Sequence, residues 1–171
     1  RRPFGGSIMG YTHYFDQVRS FTDDEWSKIT ERAKDILSQE KNIIDHDPKS
    51  DQKLTIDDEV IRFNGIGDES HETFYLPKDK PEEDEYLIDG KTVQELHPGP
   101  YFHFCKTAGK DYDKYVTAIL IIANGISKDA LKVESDGDAD LWMDGLDIAN
   151  VGSVLNPEFQ IPKAIYSRKE A

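Results

Sequence analysis

Residues 116–123, Val-Thr-Ala-Ile-Leu-Ile-Ile-Ala, form the longest apolar run in an otherwise acidic chain, and they constrain the fold more than any other segment. The run is broken only by Thr117, closes at Asn124-Gly125, and is far too short to span a membrane as a helix. Read as a helix over about residues 114–124 it has almost no polar face, so the rest of the chain has to cover it on several sides. Asp113 stands where an N-cap is expected and Gly125 where such a helix ends.

The remaining pattern supplies that cover. Phe21-Thr22-Asp23-Asp24-Glu25-Trp26 combines a capping box, Thr22 with Glu25, and a hydrophobic staple, Phe21 with Trp26. Trp26, Ile29, Ala33, Ile36 and Leu37 then recur at helical spacing, predicting an amphipathic helix over about 23–40. Strands are expected at 10–15, 60–64, 72–76, 101–107 and 130–135, with 60–64 and 72–76 an antiparallel pair across the turn residues Gly65-Ile66-Gly67-Asp68. Alternation in 101–107 puts Phe102 and Phe104 on one face and His103, Cys105 and Thr107 on the other. A last helix carries Leu141, Trp142, Leu146 and Ile148. Residues 45–58 read as a polar loop and 77–89, rich in Glu82, Glu83, Asp84 and Glu85, as a mobile acidic excursion. This order predicts an α+β fold: a mixed, mainly antiparallel sheet with about three packed helices, one largely buried. A length of 171 residues suits one domain, residues 9–171, with 1–8 read as an appended remnant ahead of Met9.

The formal net charge of −13 becomes −15 without Arg1 and Arg2, which disfavours non-specific attraction to nucleic acid or to anionic membranes. The single cysteine, Cys105, allows neither an internal disulfide nor a cysteine-rich zinc site, and a soluble, cytoplasmic protein is expected. No cofactor is expected.

Chemistry-bearing residues gather at predicted strand ends. Tyr11 and His13 belong to the first strand. Arg62, Asn64, His71, Glu72 and Thr73 flank the central turn; if the protein is an enzyme, His13, His71 and Glu72 are the acid–base candidates. His71 and Glu72 are neighbours on a strand and so point to opposite faces, which favours a hairpin with polar ends over a dyad. Lys106, Thr107, Lys110 and Tyr112 lie between a strand and the start of the buried helix, a setting suited to an anion. Cys105 with His103 reads as packing rather than as a nucleophile pair. Asp136, Asp138, Asp140, Asp144 and Asp147 imitate calcium-loop spacing, but Leu141 stands where the loop needs glycine, so Asp136 and Asp138 are weak metal candidates and no metal is expected.

Taken together, Met9-Gly10-Tyr11-Thr12-His13-Tyr14-Phe15, Phe63-Asn64-Gly65, His71-Glu72-Thr73-Phe74, Phe104-Cys105-Lys106-Thr107-Ala108 and Ser135-Asp136-Gly137-Asp138 resemble a family of small bacteriophage and bacterial proteins over residues 9–145. Relatives carry proline where this chain has Asp111. The resemblance implies a phage-type protein acting in the host-cell cytoplasm against host defence. It carries no assigned activity. The expectation it supports is capture of a small, anionic, nucleotide-derived signal, with aromatic rings stacking a base and Arg62, Lys106 and Lys110 meeting phosphate. A metal-dependent hydrolase of nucleotides or nucleic acid, and an acidic protein–protein inhibitor or nucleic-acid mimic that binds a basic host protein, are the alternatives. A homodimer suits any small ligand-binding protein.

Overall fold

A computed structural model describes residues 10–41, 44–45, 54–82, 87–88, 91–92, 99–152 and 158–167. The elements are β1 (Thr12–Gln17), α1 (Asp23–Leu37), β2 (Ile44–Asp45), β3 (Thr55–Ile56), β4 (Val60–Gly65), β5 (Phe74–Pro77), β6 (Leu87–Ile88), β7 (Lys91–Thr92), β8 (Tyr101–Lys106), α2 (Asp113–Ser127), β9 (Leu131–Ser135), α3 (Met143–Ala149) and α4 (Lys163–Ser167). Single 3-10 turns cover Gly67–Glu69 and Ala139–Trp142. This is an α+β fold, and every described strand pairing is antiparallel. Of the excursion expected over 77–89, Pro77 ends β5 and Lys78 bonds back to Glu59, while 83–86 and 89 lie outside the described residues, as do 1–9.

Helix α2 is the centre. Its side chains from Tyr115 to Ala123 are all buried, and it packs against α1, α3 and β9. Its ends differ from the sequence reading. Asp113 does not cap it, because the Asp113 carboxylate is engaged with His13 and Thr107. Gly125 lies inside the helix, which runs on to Ser127, and the Phe159 ring occupies the place a side chain there would need, 2.8 Å from an added Cβ. Helix α1 starts as its sequence requires: the Thr22 hydroxyl accepts from Glu25 N at 3.2 Å and the Glu25 carboxylate accepts from Thr22 N at 2.8 Å. The Phe21 and Trp26 rings meet at 5.5 Å. Arg19 donates to both oxygens of Glu25, and this bond above all holds the Glu25 carboxyl down at about 2. No helix among the described residues is long and apolar enough to cross a membrane.

The first sheet has the order β8-β1-β9 and the second centres on β4, with β2, β3 and β5 paired to it. Phe15 of β1 contacts Phe74 of β5 at 5.5 Å, which in turn contacts Phe63 of β4 at 5.1 Å, so an aromatic seam joins the two. A polar relay runs beside it. His103 Nε2 donates to Gln17 Oε1 at 3.0 Å, and the Gln17 amide donates to the carbonyls of Pro77 and Lys78, each at 3.2 Å. Burial lowers the His103 pKa to about 4.

Two outcomes follow for stability. Thr22→Ala removes half of the capping box and should cost about 1 kcal/mol in urea unfolding, with the fold unchanged. His103 stays neutral in the folded protein down to about pH 4, whereas in the unfolded chain it takes up a proton near pH 6.5, so the unfolded state binds more protons between these values. Stability should therefore fall as the pH drops through that window, by at most about 1.4 kcal/mol per pH unit from this group. His103→Phe should show a shallower decline in urea midpoint between pH 7 and pH 4 than the parent protein.

Candidate functional site

Alternation in the first sheet decides which chemistry is hidden and which is presented. On its inner face lie His13, Phe15 and Gln17 of β1, His103 and Cys105 of β8, and Ser135 of β9, all buried. The outer face carries Tyr14 and Asp16, Phe102 and Phe104, and Lys132 and Glu134. The usual amphipathic arrangement is thus inverted in β8: polar His103 points in, while Phe102 and Phe104 are 56% and 54% exposed.

The inner cluster is a closed hydrogen-bond network. His13, with no exposed surface, sits between the Ser135 hydroxyl, 2.8 Å from Nδ1, and the Asp113 carboxylate, 2.6 Å from Nε2. A carboxylate only accepts, so in the neutral ring Nε2 carries the proton and Nδ1 accepts from Ser135. Thr107 also donates to Asp113 at 2.5 Å, Gly109 N donates to Thr107 and Gly137 N donates to Ser135. The three groups have the composition of a nucleophile, base and acid, but Ser135 is 1% exposed and its oxygen already receives the Gly137 amide. This network joins the ends of β1 and β9 to the first turn of α2. Beside it the Trp142 indole nitrogen is buried without a hydrogen-bond partner among the described residues, and the Tyr11 hydroxyl is buried near Ser135. Burial first, then the nearby Asp113, pushes the Tyr11 hydroxyl pKa well up.

The loop that follows β8 is tightly wound. Ala108 and Gly109 both have positive φ, 52° and 65°, and Ala108 is a residue type that rarely adopts it. Lys106 and Lys110 flank this pair, and neither ammonium has a partner among the described residues. His71 is exposed and its Nδ1 donates to the Lys106 carbonyl at 2.7 Å. Glu72 accepts from Lys106 N at 2.7 Å, while its own N–H donates to the Lys106 carbonyl and its carbonyl accepts from Tyr112 at 2.6 Å. His71 and Glu72 thus work together as a latch holding the second sheet to the end of β8.

The other sequence candidates are placed elsewhere. Asn64 bonds to His71 and Thr73 and braces the connection between β4 and β5. Arg62 lies in β4 of the second sheet, opposite Tyr75, and donates to Thr55 at 3.1 Å, whereas Lys106 ends β8 of the first sheet. Asp136 accepts from Thr12 N, and Asp138 caps the 3-10 turn that follows. Among the described residues no three His, Cys, Asp or Glu side chains are arranged to hold a metal. Burial pushes the Cys105 thiol strongly up, away from the thiolate a nucleophile needs.

The outer face is accessible, and the sequence reading did not single it out. Tyr14 and Phe102 stack at 6.0 Å between ring centres, and Phe102 and Phe104 meet at 5.6 Å. Next to them a cleft of about 230 Å³ is lined by Tyr14, Asp16, Phe102, Lys132 and Glu134. Partial burial, then Glu134, raises the Asp16 carboxyl pKa. By alternation Lys106 continues the same row, two residues beyond Phe104. Compared with protein-family models, with curated proteins and with solved structures, the chain matches none.

Replacing His13 by Ala strands the Asp113 carboxylate at the head of α2 and should destabilise the protein by about 3 kcal/mol. Ser135→Ala leaves that pair intact and should cost about 1 kcal/mol. Comparable losses from the two in urea unfolding would show that His13 and Asp113 do not form the central link.

Proposed function

We propose that the protein captures a small nucleotide-derived ligand on the outer face of its first sheet, and that its role is sequestration rather than turnover. One observation carries the reading: an open antiparallel sheet displays Tyr14, Phe102 and Phe104 as contiguous, partly stacked rings in a row that ends in Lys106, which has no ion-pair partner among the described residues. Large apolar side chains exposed together on a sheet mark a binding surface. Rings of this kind stack nucleobases of any identity, each worth roughly 1–3 kcal/mol, and an ammonium at the end of the row supplies the partner for a phosphate. The carboxylates Asp16 and Glu134 line the cleft beside the rings and accept from the amino or imino edge of a base.

Sequestration is favoured because the acid–base candidates are already engaged. His13 lies inside a closed network, and His71 and Glu72 hold the latch to β8. On the resemblance to small bacteriophage proteins, the captured ligand is read as a host defence signal, and removing it blunts the response. An acidic chain with only local positive charge suits a small ligand better than a nucleic-acid backbone.

The experiment is incubation with a panel of cyclic nucleotides and ADP-ribose derivatives, re-isolation, heat release and mass analysis. An intact ligand should be recovered from the parent protein, and Phe102→Ala or Phe104→Ala should lower its affinity roughly tenfold or more. Release of a ligand of altered mass would mean hydrolysis. Retention of nothing, with a basic host protein co-purifying instead, would move the function to the acidic surface.

A further inference from the structure

Strand β8 presents an edge as well as a face. In an antiparallel ladder, alternate residues direct their N–H and C=O groups to opposite sides. Lys106 turns both of its groups away from β1, toward Glu72. Phe104 and Phe102 share that phase, so their backbone groups point to the same open edge, and none has a partner among the described residues. An edge strand with free backbone groups and exposed phenylalanines is a ready template for another strand.

We propose that this edge pairs with the β8 edge of a second copy of the chain, antiparallel about a two-fold axis at His103. In that register Phe102 of each copy lies opposite Phe104 of the other, and each such pair can exchange both backbone hydrogen bonds. The interface is self-complementary, as a two-fold dimer requires. Charge favours the same arrangement. Lys106, which has no ion-pair partner among the described residues, stands at one end of the outer row, and Asp16, the cross-strand neighbour of Phe102, stands at the other. Antiparallel pairing brings Lys106 of each copy toward the ring of Phe102 and the carboxylate of Asp16 in the other. The two three-stranded sheets become one, and their aromatic faces join. Pairing needs the backbone edge and capture needs the face; Lys106 and Phe102 bear on both, so the two are told apart by measuring association without ligand and retention with it.

Sedimentation equilibrium on the ligand-free protein, from micromolar to millimolar concentration, tests this. The parent chain should be a dimer. Phe104→Pro removes an edge N–H that the β1 ladder does not use, and should give a monomer with an unchanged far-ultraviolet spectrum. Lys106→Glu should weaken association roughly tenfold, and the charge swap Lys106→Glu with Asp16→Lys should restore it, which settles the matter should the proline variant not fold. A parent chain that is monomeric throughout, or a dimer indifferent to both Phe104→Pro and Lys106→Glu, overturns the proposal. A monomer that still retains ligand would remove the dimer and leave capture standing; a dimer that retains none supports the pairing and removes capture.

Discussion

Burial of α2 on all sides is the constraint from which the architecture descends. Ile119, Leu120, Ile121 and Ile122 are successive and fully buried, so they project in every direction around the helix and each needs apolar cover. At roughly 1.5–3 kcal/mol per fully buried side chain, this one segment is a large share of what opposes chain entropy. Helices α1 and α3 and the inner face of the first sheet supply the cover. The cost falls at the helix start, where the chain enters the core beside polar groups that have to be satisfied.

Those groups are satisfied by pairing across elements. His13 links Asp113 to Ser135, Gln17 links His103 to the end of β5, and Glu72 links the second sheet to Lys106. Each joins segments far apart in the chain. Residues that look reactive in isolation are consumed as joints. The strained Ala108–Gly109 turn belongs to the same economy, because it returns the chain from β8 to α2 within a few residues.

What the first sheet leaves exposed is its opposite side. Because its inner face is occupied by polar joints as well as by Phe15 and Cys105, the alternating phenylalanines of β8 are directed outward. An acidic, charge-rich exterior keeps such a patch tolerable, and Lys106, without an ion-pair partner among the described residues, stands at the end of its row. In the readings proposed above, the face of this strand meets a base and its edge, unpaired among the described residues, meets another strand.

The amino-acid sequence by itself determined the local elements: the capped and stapled start of α1, the β4–β5 pair, the alternation of β8, and a helix too apolar to be anything but central. These are short-range consequences of periodicity and capping, legible because neighbouring residues impose them. It did not determine which face of β8 turns inward, since Phe102 with Phe104 and His103 with Cys105 are equally regular patterns. Nor did it show that Asp113 would be drawn from capping into a bond with His13, or that Gly125 would be needed for the Phe159 ring rather than for a helix end. Only tertiary structure decided these, because burial and hydrogen-bond satisfaction are settled by whatever packs against a residue from distant parts of the chain.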